Sequence, residues 1–145
     1  MPDFALRRAH TRDAKGVTEC IDAAYSIYVG RVEDLPAVSA GIAHAIENHR
    51  VWVAEIDRRI VGAMVLVPHY GFAVLENIAV RPECTGLGLG RVLIEQAEED
   101  SRGLGLPEIR LSTHKDMLRN VAIYSRLGWK ETGRSGNKVN MSKQI

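Results

Sequence analysis

Three glycines at alternate positions, Gly86, Gly88 and Gly90, lie between a short apolar run and a helical pattern. The run is Glu76-Asn77-Ile78-Ala79-Val80, which reads as a strand closed by Arg81-Pro82, because proline has no N–H for a ladder and restricts the residue before it. After the glycines, Leu89, Val92, Leu93 and Ala97 recur on one helical face, with Glu95, Glu98, Glu99 and Arg102 on the other. Gly103 and Gly105 supply the stop. Strand, glycine loop and helix together make a site for phosphate. The first N–H groups of a helix have no internal partner, the helix dipole adds partial positive charge, and a loop without side chains lets an anion reach the backbone. The chemistry implied is the binding of a pyrophosphate-bearing ligand.

The ligand class narrows by elimination. A Walker-type loop needs Gly-Lys-Ser/Thr, and Gly90 is followed by Arg91-Val92. A dinucleotide fold needs G-x-G-x-x-G and an acidic residue about 20 positions on. Here the spacing is G-x-G-x-G, and the next strand, Ile109 to Thr113, leads into His114.

The elements around this stretch follow from periodicity and punctuation. Phe4 to Arg8 reads as a strand. A helix runs from Asp13 to about Val29, with Thr11 or Asp13 as cap, apolar positions Val17, Cys20, Ile21, Ala24 and Tyr28, and Gly30 as its end. A second runs from Leu35 to Asn48, capped by Asp34, with Pro36 early and Val38, Ile42, Ala45 and Ile46 inward. Strands follow at Val51–Glu55, Ile60–Val67 (Gly62 marking a bulge) and Phe72–Val80. Beyond the long helix come a strand at Glu108–Thr113, a short helix at Leu118–Leu127 stopped by Gly128, and two strands, Trp129–Thr132 and Val139–Ser142, around a Gly133–Asn137 turn. Arg110 and His114 are expected to face solvent.

Composition sets outer bounds. The chain has 145 residues, 46% hydrophobic and 26% charged, with a net charge of +1. This suits one soluble domain spanning 1–145. No basic excess points to nucleic acid, and no apolar run approaches the roughly 18 residues a membrane span needs. The start, MPDFALRRAH, has no apolar signal region. Cys20 and Cys84 are far apart, which fits a reducing cytoplasm. Cys20 is expected to pack inside and Cys84 to be exposed. His44, His49 and His114 have no metal-ligand spacing, so no metal is expected.

The stretch V-R-P-x-x-x-G-x-G-x-G resembles the acetyl-CoA-binding motif of the GNAT N-acetyltransferase superfamily, Gln/Arg-x-x-Gly-x-Gly/Ala, here on Thr85-Gly86-Leu87-Gly88-Leu89-Gly90. Thr85 departs from the usual Gln or Arg. A second stretch, Asn120-Val121-Ala122-Ile123-Tyr124-Ser125-Arg126-Leu127-Gly128-Trp129, resembles the family's N-x-x-A-x-x-x-Y-x-x-x-G-F pattern, compressed by one residue and with Trp129 for Phe. The element order β-α-α-β-β-β-α-β-α-β-β matches the family layout over the whole chain, implying a mixed α/β fold with a mostly antiparallel sheet flanked by helices.

The resemblance implies acyl transfer from acetyl-CoA to an amine. Backbone N–H groups from Gly86 to Arg91 would hold the pyrophosphate. Ile78, Ala79 and Val80 would hold the pantetheine like an added strand, and an N–H near Val80 would face the developing oxyanion. The motif makes Tyr124 the general acid; the alternative is a core tyrosine. Asn120 becomes a cofactor contact, or else a helix cap. Glu76, a carboxylate in an apolar strand, is the candidate base, with His69 or water as substitutes; strict alternation puts Asn77 on the opposite face. Tyr25, Tyr28 and Arg31 would line the acceptor site, where the acceptor is a small-molecule or protein amine. A CoA-binding module without catalysis and a nucleotide-binding protein are the competing readings. Acyl length and oligomeric state stay open, a homodimer through the last strands being one arrangement.

Overall fold

The computed structural model describes residues 4–26 and 41–145. Its strands are β1 (Ala5–Arg8), β2 (Arg50–Ile56), β3 (Arg59–Pro68), β4 (Ala73–Val80), β5 (Glu108–His114), β6 (Lys130–Ser135) and β7 (Lys138–Gln144). Its helices are α1 (Ala14–Tyr25), α2 (Ile42–Asn48), α3 (Leu89–Gly103) and α4 (Leu118–Arg126). The seven strands form one sheet in the order β1-β2-β3-β4-β5-β7-β6. Every neighbouring pair is antiparallel except β4 and β5. This is the mixed α/β arrangement that the element order implies. Tyr28, Arg31, the Asp34 cap, Pro36, Val38 and the expected start of the second helix fall outside the described residues. Gly41 (φ 79°) is left-handed at the head of α2, so the helix begins at Ile42 and not through this position.

Two cores sandwich the sheet. On one face α1 and α2 bury Val17, Cys20, Ile21, Ile42 and Ala45 against Val51, Val53, Ala63, Val65 and Ala79. On the other, α3 and α4 bury Leu93, Ile94, Ala97 and Tyr124 against Met64, Leu66, Leu75, Ile109, Leu111 and Met141. The β2–β3 irregularity leaves Val61 unmatched, beside Gly62 and not at it. Gly62 instead admits α3: a Cβ there would meet Leu93 Cδ1 at 3.1 Å. The β6–β7 turn is shorter than the sequence suggests. Ser135 pairs with Lys138, so Gly133 to Ser135 belong to β6 and only Gly136-Asn137 turn.

α3 ends as its glycines imply. Gly105 (φ 74°) follows the last turn, with bonds from Gly105 N to Arg102 O and from Leu106 N to Ser101 O. Glu98 corrects the expected polar face: it is buried, with its Oε1 2.8 Å from Lys143 Nζ. That ammonium also donates to Leu127 O at the end of α4 (2.8 Å). One lysine of β7 thus joins α3 to α4. His114 is buried rather than solvated, and its Nδ1 accepts from Asp116 N. Among the described residues, no helix is long and apolar enough to cross a membrane.

Removing Lys143 leaves buried Glu98 with only the longer contact to Arg102 (3.6 Å). Lys143→Met is expected to lower the unfolding free energy by about 2–3 kcal/mol. The low end applies because Lys143 keeps 24% of its side-chain surface in solvent. Adding Glu98→Leu should recover most of that loss in urea titrations. A single variant as stable as the parent would show that the pair is not a clamp.

Candidate active site at the strand fork

β4 and β5 pair at only two positions, Ala73 with Ile109 and Val74 with Arg110, and then part. Among the described residues, no strand lies on the β5 side of β4 from Leu75 to Val80. Backbone groups alternate sides along an antiparallel strand. Arg81 N donates to Val61 O (2.8 Å), so by alternation Ala79 and Asn77 also face β3. Ile78 and Val80 therefore turn their N–H and C=O into the fork. Tyr25 agrees with this geometry: its hydroxyl lies 3.4 Å from Ile78 O. That bond spans 53 positions and could not be read from local pattern.

At the vertex, Leu75 pairs with Leu66 and Asn77 with Val65, leaving Glu76 as the extra residue of a bulge. Leu75 and Ile78 both pack on the α3 side, while Ala79 packs on the α1 side. Glu76 and Asn77 consequently share the α1 face, which corrects the expectation that they oppose each other. Glu76 is exposed and has no hydrogen bond or ion pair among the described residues. His69 is in the β3–β4 turn, stacked on Phe72 with ring centroids 5.1 Å apart.

The glycine loop lies at the open end of the fork. Pro82–Cys84 form a 3-10 turn, and Thr85 Oγ1 bonds back to Pro82 O (2.9 Å). Cys84 is buried beside Leu89 rather than exposed. Gly86 (φ 87°) and Gly88 (φ 81°) are left-handed, and a Cβ on either would meet nothing within 4 Å. Glycine is required there by backbone conformation, and the space beside it is open for a ligand. Gly88 heads α3, whose first bond runs from Val92 N to Gly88 O (3.1 Å). The N–H groups of Leu89, Gly90 and Arg91 precede that bond and point out of the helix end. Arg91 itself pairs with Glu95 (2.9 Å), and Leu87 is half-buried against Leu89. These residues fit a pyrophosphate followed by an extended amide chain: open anion donors at one end, an open strand edge running inward from them.

On the α3 side, Tyr124 is buried, its ring 5.6 Å from that of Trp129. Burial, and then the neighbouring Tyr25, raise its pKa well above the usual tyrosine value, so it stays protonated. Asn120 is not the cap of α4; Met117 holds that position, and Asn120 Nδ2 reaches Met117 Sδ (3.5 Å). Thr113 Oγ1 meets the same sulfur at 3.9 Å, a cluster at the end of β5 that no sequence signal announces. Burial pushes the Cys20 thiol up to about 11, which makes it a core residue. The structure thus brings Glu76, Ile78, Val80, Tyr25, Tyr124 and the glycine loop around one fork.

A sequence profile described as the acetyltransferase (GNAT) family matches residues 18–129. The chain is similar to human N-acetyltransferase 8B, 29% identical over 90 residues, covering 58% of this chain and 40% of that protein. It is also similar to the peptidyl-lysine N-acetyltransferase YjaB of Escherichia coli strain K12, 31% identical over 86 residues, covering 59% and 52%. The chain spans about half the length, or less, of the curated relatives it matches. Among solved structures, PaiA N-acetyltransferase of Thermoplasma acidophilum in complex with coenzyme A superposes with a TM-score of 0.89 at 19% identity, covering 99% of both chains. The chain belongs to the GNAT acetyltransferase family.

Two glycine substitutions separate conformation from contact. Gly88→Val forces a branched residue into a left-handed position, at about 1–2 kcal/mol, and fills the open side of the loop. Calorimetric titration should show CoA binding lost in the folded variant. Gly90→Ala has room, the nearest neighbour of its Cβ being Val80 Cγ2 at 3.9 Å. It should keep CoA affinity and gain about 0.5–1 kcal/mol of stability. Unchanged affinity in Gly88→Val would contradict the cradle.

Proposed function

We propose that this protein transfers an acetyl group from acetyl-CoA to a primary amine by direct attack of the amine. The observation that carries the reading is the open backbone edge at Ile78 and Val80 leading into the N-terminus of α3. Acetyl-CoA supplies the activated carbonyl as a thioester. Gly86 to Arg91 hold its pyrophosphate through backbone N–H groups. Ile78 and Val80, on either side of Ala79, take its amide chain as a sheet takes another strand, and Asn120 faces it from α4. A backbone N–H at Ile78 or Val80 donates to the carbonyl oxygen as negative charge grows there, a fixed dipole that needs no reorganisation.

Proton movement falls to two side chains. An alkylammonium, with a pKa near ~10.4, must lose a proton before it attacks. Glu76 sits at the vertex, on the α1 face, where the acceptor enters past Tyr25; it takes that proton directly or through water. Tyr124, kept protonated by burial, gives its proton to the departing thiolate. Resemblance to a peptidyl-lysine N-acetyltransferase is a reason to test polypeptide amines beside small ones. Both cysteines are free, which fits work in the cytoplasm.

Tyr124→Phe should lower kcat far more than CoA affinity, and Glu76→Gln should flatten the acidic limb of the rate profile. Equal kcat in the first variant would remove Tyr124 as the acid, and an unaltered limb in the second would move the base to His69 or water. The raised Tyr124 pKa also has a stability consequence. Above pH ~10 the unfolded chain ionises this tyrosine while the folded one does not. Its contribution to stability is thus complete below that pH and falls as pH rises further. Tyr124→Phe should lose less stability than the parent between pH 9.5 and ~11, as read by urea midpoints; parallel losses would place the hydroxyl in solvent.

A further inference from the structure

The two faces of the sheet are unequally covered. The α1-side core draws on β2, β3 and β4 and contains no residue of β5, β6 or β7. Ile109, Leu111, Val139 and Met141 all point to the α3 side. The alternate residues of β5 and β7 therefore form a face over which no described helix packs. It begins at the vertex, because Val74 pairs with Arg110 and Glu76 lies two residues further along the same strand.

The charges on this face are mostly of one sign. Arg110 is exposed and fixed, its Cζ 3.7 Å from the centre of the Phe72 ring and its Nε 2.6 Å from Glu108 Oε2. Lys138 pairs with His114 across β5 and β7, and Lys130 pairs with Ser142 across β6 and β7, so both share the face. Both lysines are exposed and have no carboxylate partner among the described residues. Glu108 is the only acid on these strands that alternation places here. The cations are spread over three strands, roughly 10 Å across at ~4.8 Å per strand, which is wider than one small acid.

We propose that this face docks an acidic polypeptide segment, whose amine is thereby delivered to Glu76 at the vertex. The inference rests on the acetyl-transfer reading of the fork and adds the acceptor's class. The ammonium meets the carboxylate at the vertex, and the flanking acids meet Arg110, Lys138 and Lys130. Such exposed pairs steer and select more than they bind, and they weaken with salt.

The test uses two short peptides, each with one lysine and a free amino terminus, the lysine flanked by glutamates in one and by arginines in the other. With the full chain and acetyl-CoA, the acidic peptide should be acetylated at least ~tenfold more efficiently at low salt, with the difference in KM. That preference should collapse in 0.5 M NaCl and in an Arg110→Gln/Lys138→Gln variant whose thermal shift with CoA is unchanged. Acetylation of both peptides alike, or better use of the basic one, would overturn the proposal while leaving acetyl transfer intact. If neither peptide is acetylated, fluorescence anisotropy of the labelled acidic peptide on the CoA-loaded protein decides. Salt-sensitive binding lost in the double variant upholds the docking face and refutes transfer to such peptides; absence of binding overturns the docking face.

Discussion

The structure depends on the parting of β4 from β5. A strand in mid-sheet normally spends both edges on neighbours, since buried backbone N–H and C=O groups need partners. Here β4 is paired along β3 but beside β5 only at Ala73 and Val74. The open length that remains is an edge in the middle of the sheet, where an extended, amide-bearing ligand can complete the ladder. The bulge at Glu76 belongs to the same constraint. By adding a residue, it changes the face to which the following side chains point, so Ile78 and Val80 join the α3-side core while a carboxylate is left exposed at the vertex.

Other elements keep the fork's walls at a fixed spacing. α3 rests on Gly62, where a Cβ would meet Leu93 Cδ1 at 3.1 Å and force that side chain to shift. α4 is tied to α3 by Lys143, which shares its donors between Glu98 and the carbonyl of Leu127 at the end of α4. The base of α3 is tied to β2 by the indole of Trp52 on Asp100 (2.7 Å). Across the sheet, α1 reaches over with Tyr25 to the fork's own edge. Among the described residues, the groups that would do chemistry thus stand on elements fixed by packing, beside the glycine loop.

Much of this was legible in the sequence where the signal is local. The glycine spacing, the Arg-Pro stop and the 3.6-residue pattern after it mark the glycine loop and α3, and both lie at nearly the expected residues. What escaped depends on distant partners. Leu75 to Val80 reads as an alternating strand because a bulge has no signature on its own strand; only the register with β3 displays it. Glu98 reads as a solvated residue because its partner lies 45 positions away. His114 and Cys84 read as exposed for a similar reason: neither residue type reveals what packs over it. Gly133 reads as a turn residue from its neighbours, but it lies in an edge strand, β6, where glycine is tolerated.

The central claim is that fork and cradle together hold coenzyme A. Thermal denaturation with acetyl-CoA, CoA, NADH and ATP in parallel tests it most directly, because a ligand of the native state adds about 2.7 kcal/mol at a hundredfold excess over Kd. The account predicts upward shifts with acetyl-CoA and CoA and none with NADH or ATP. No shift with either thioester or thiol, or an equal shift with ATP, would contradict it.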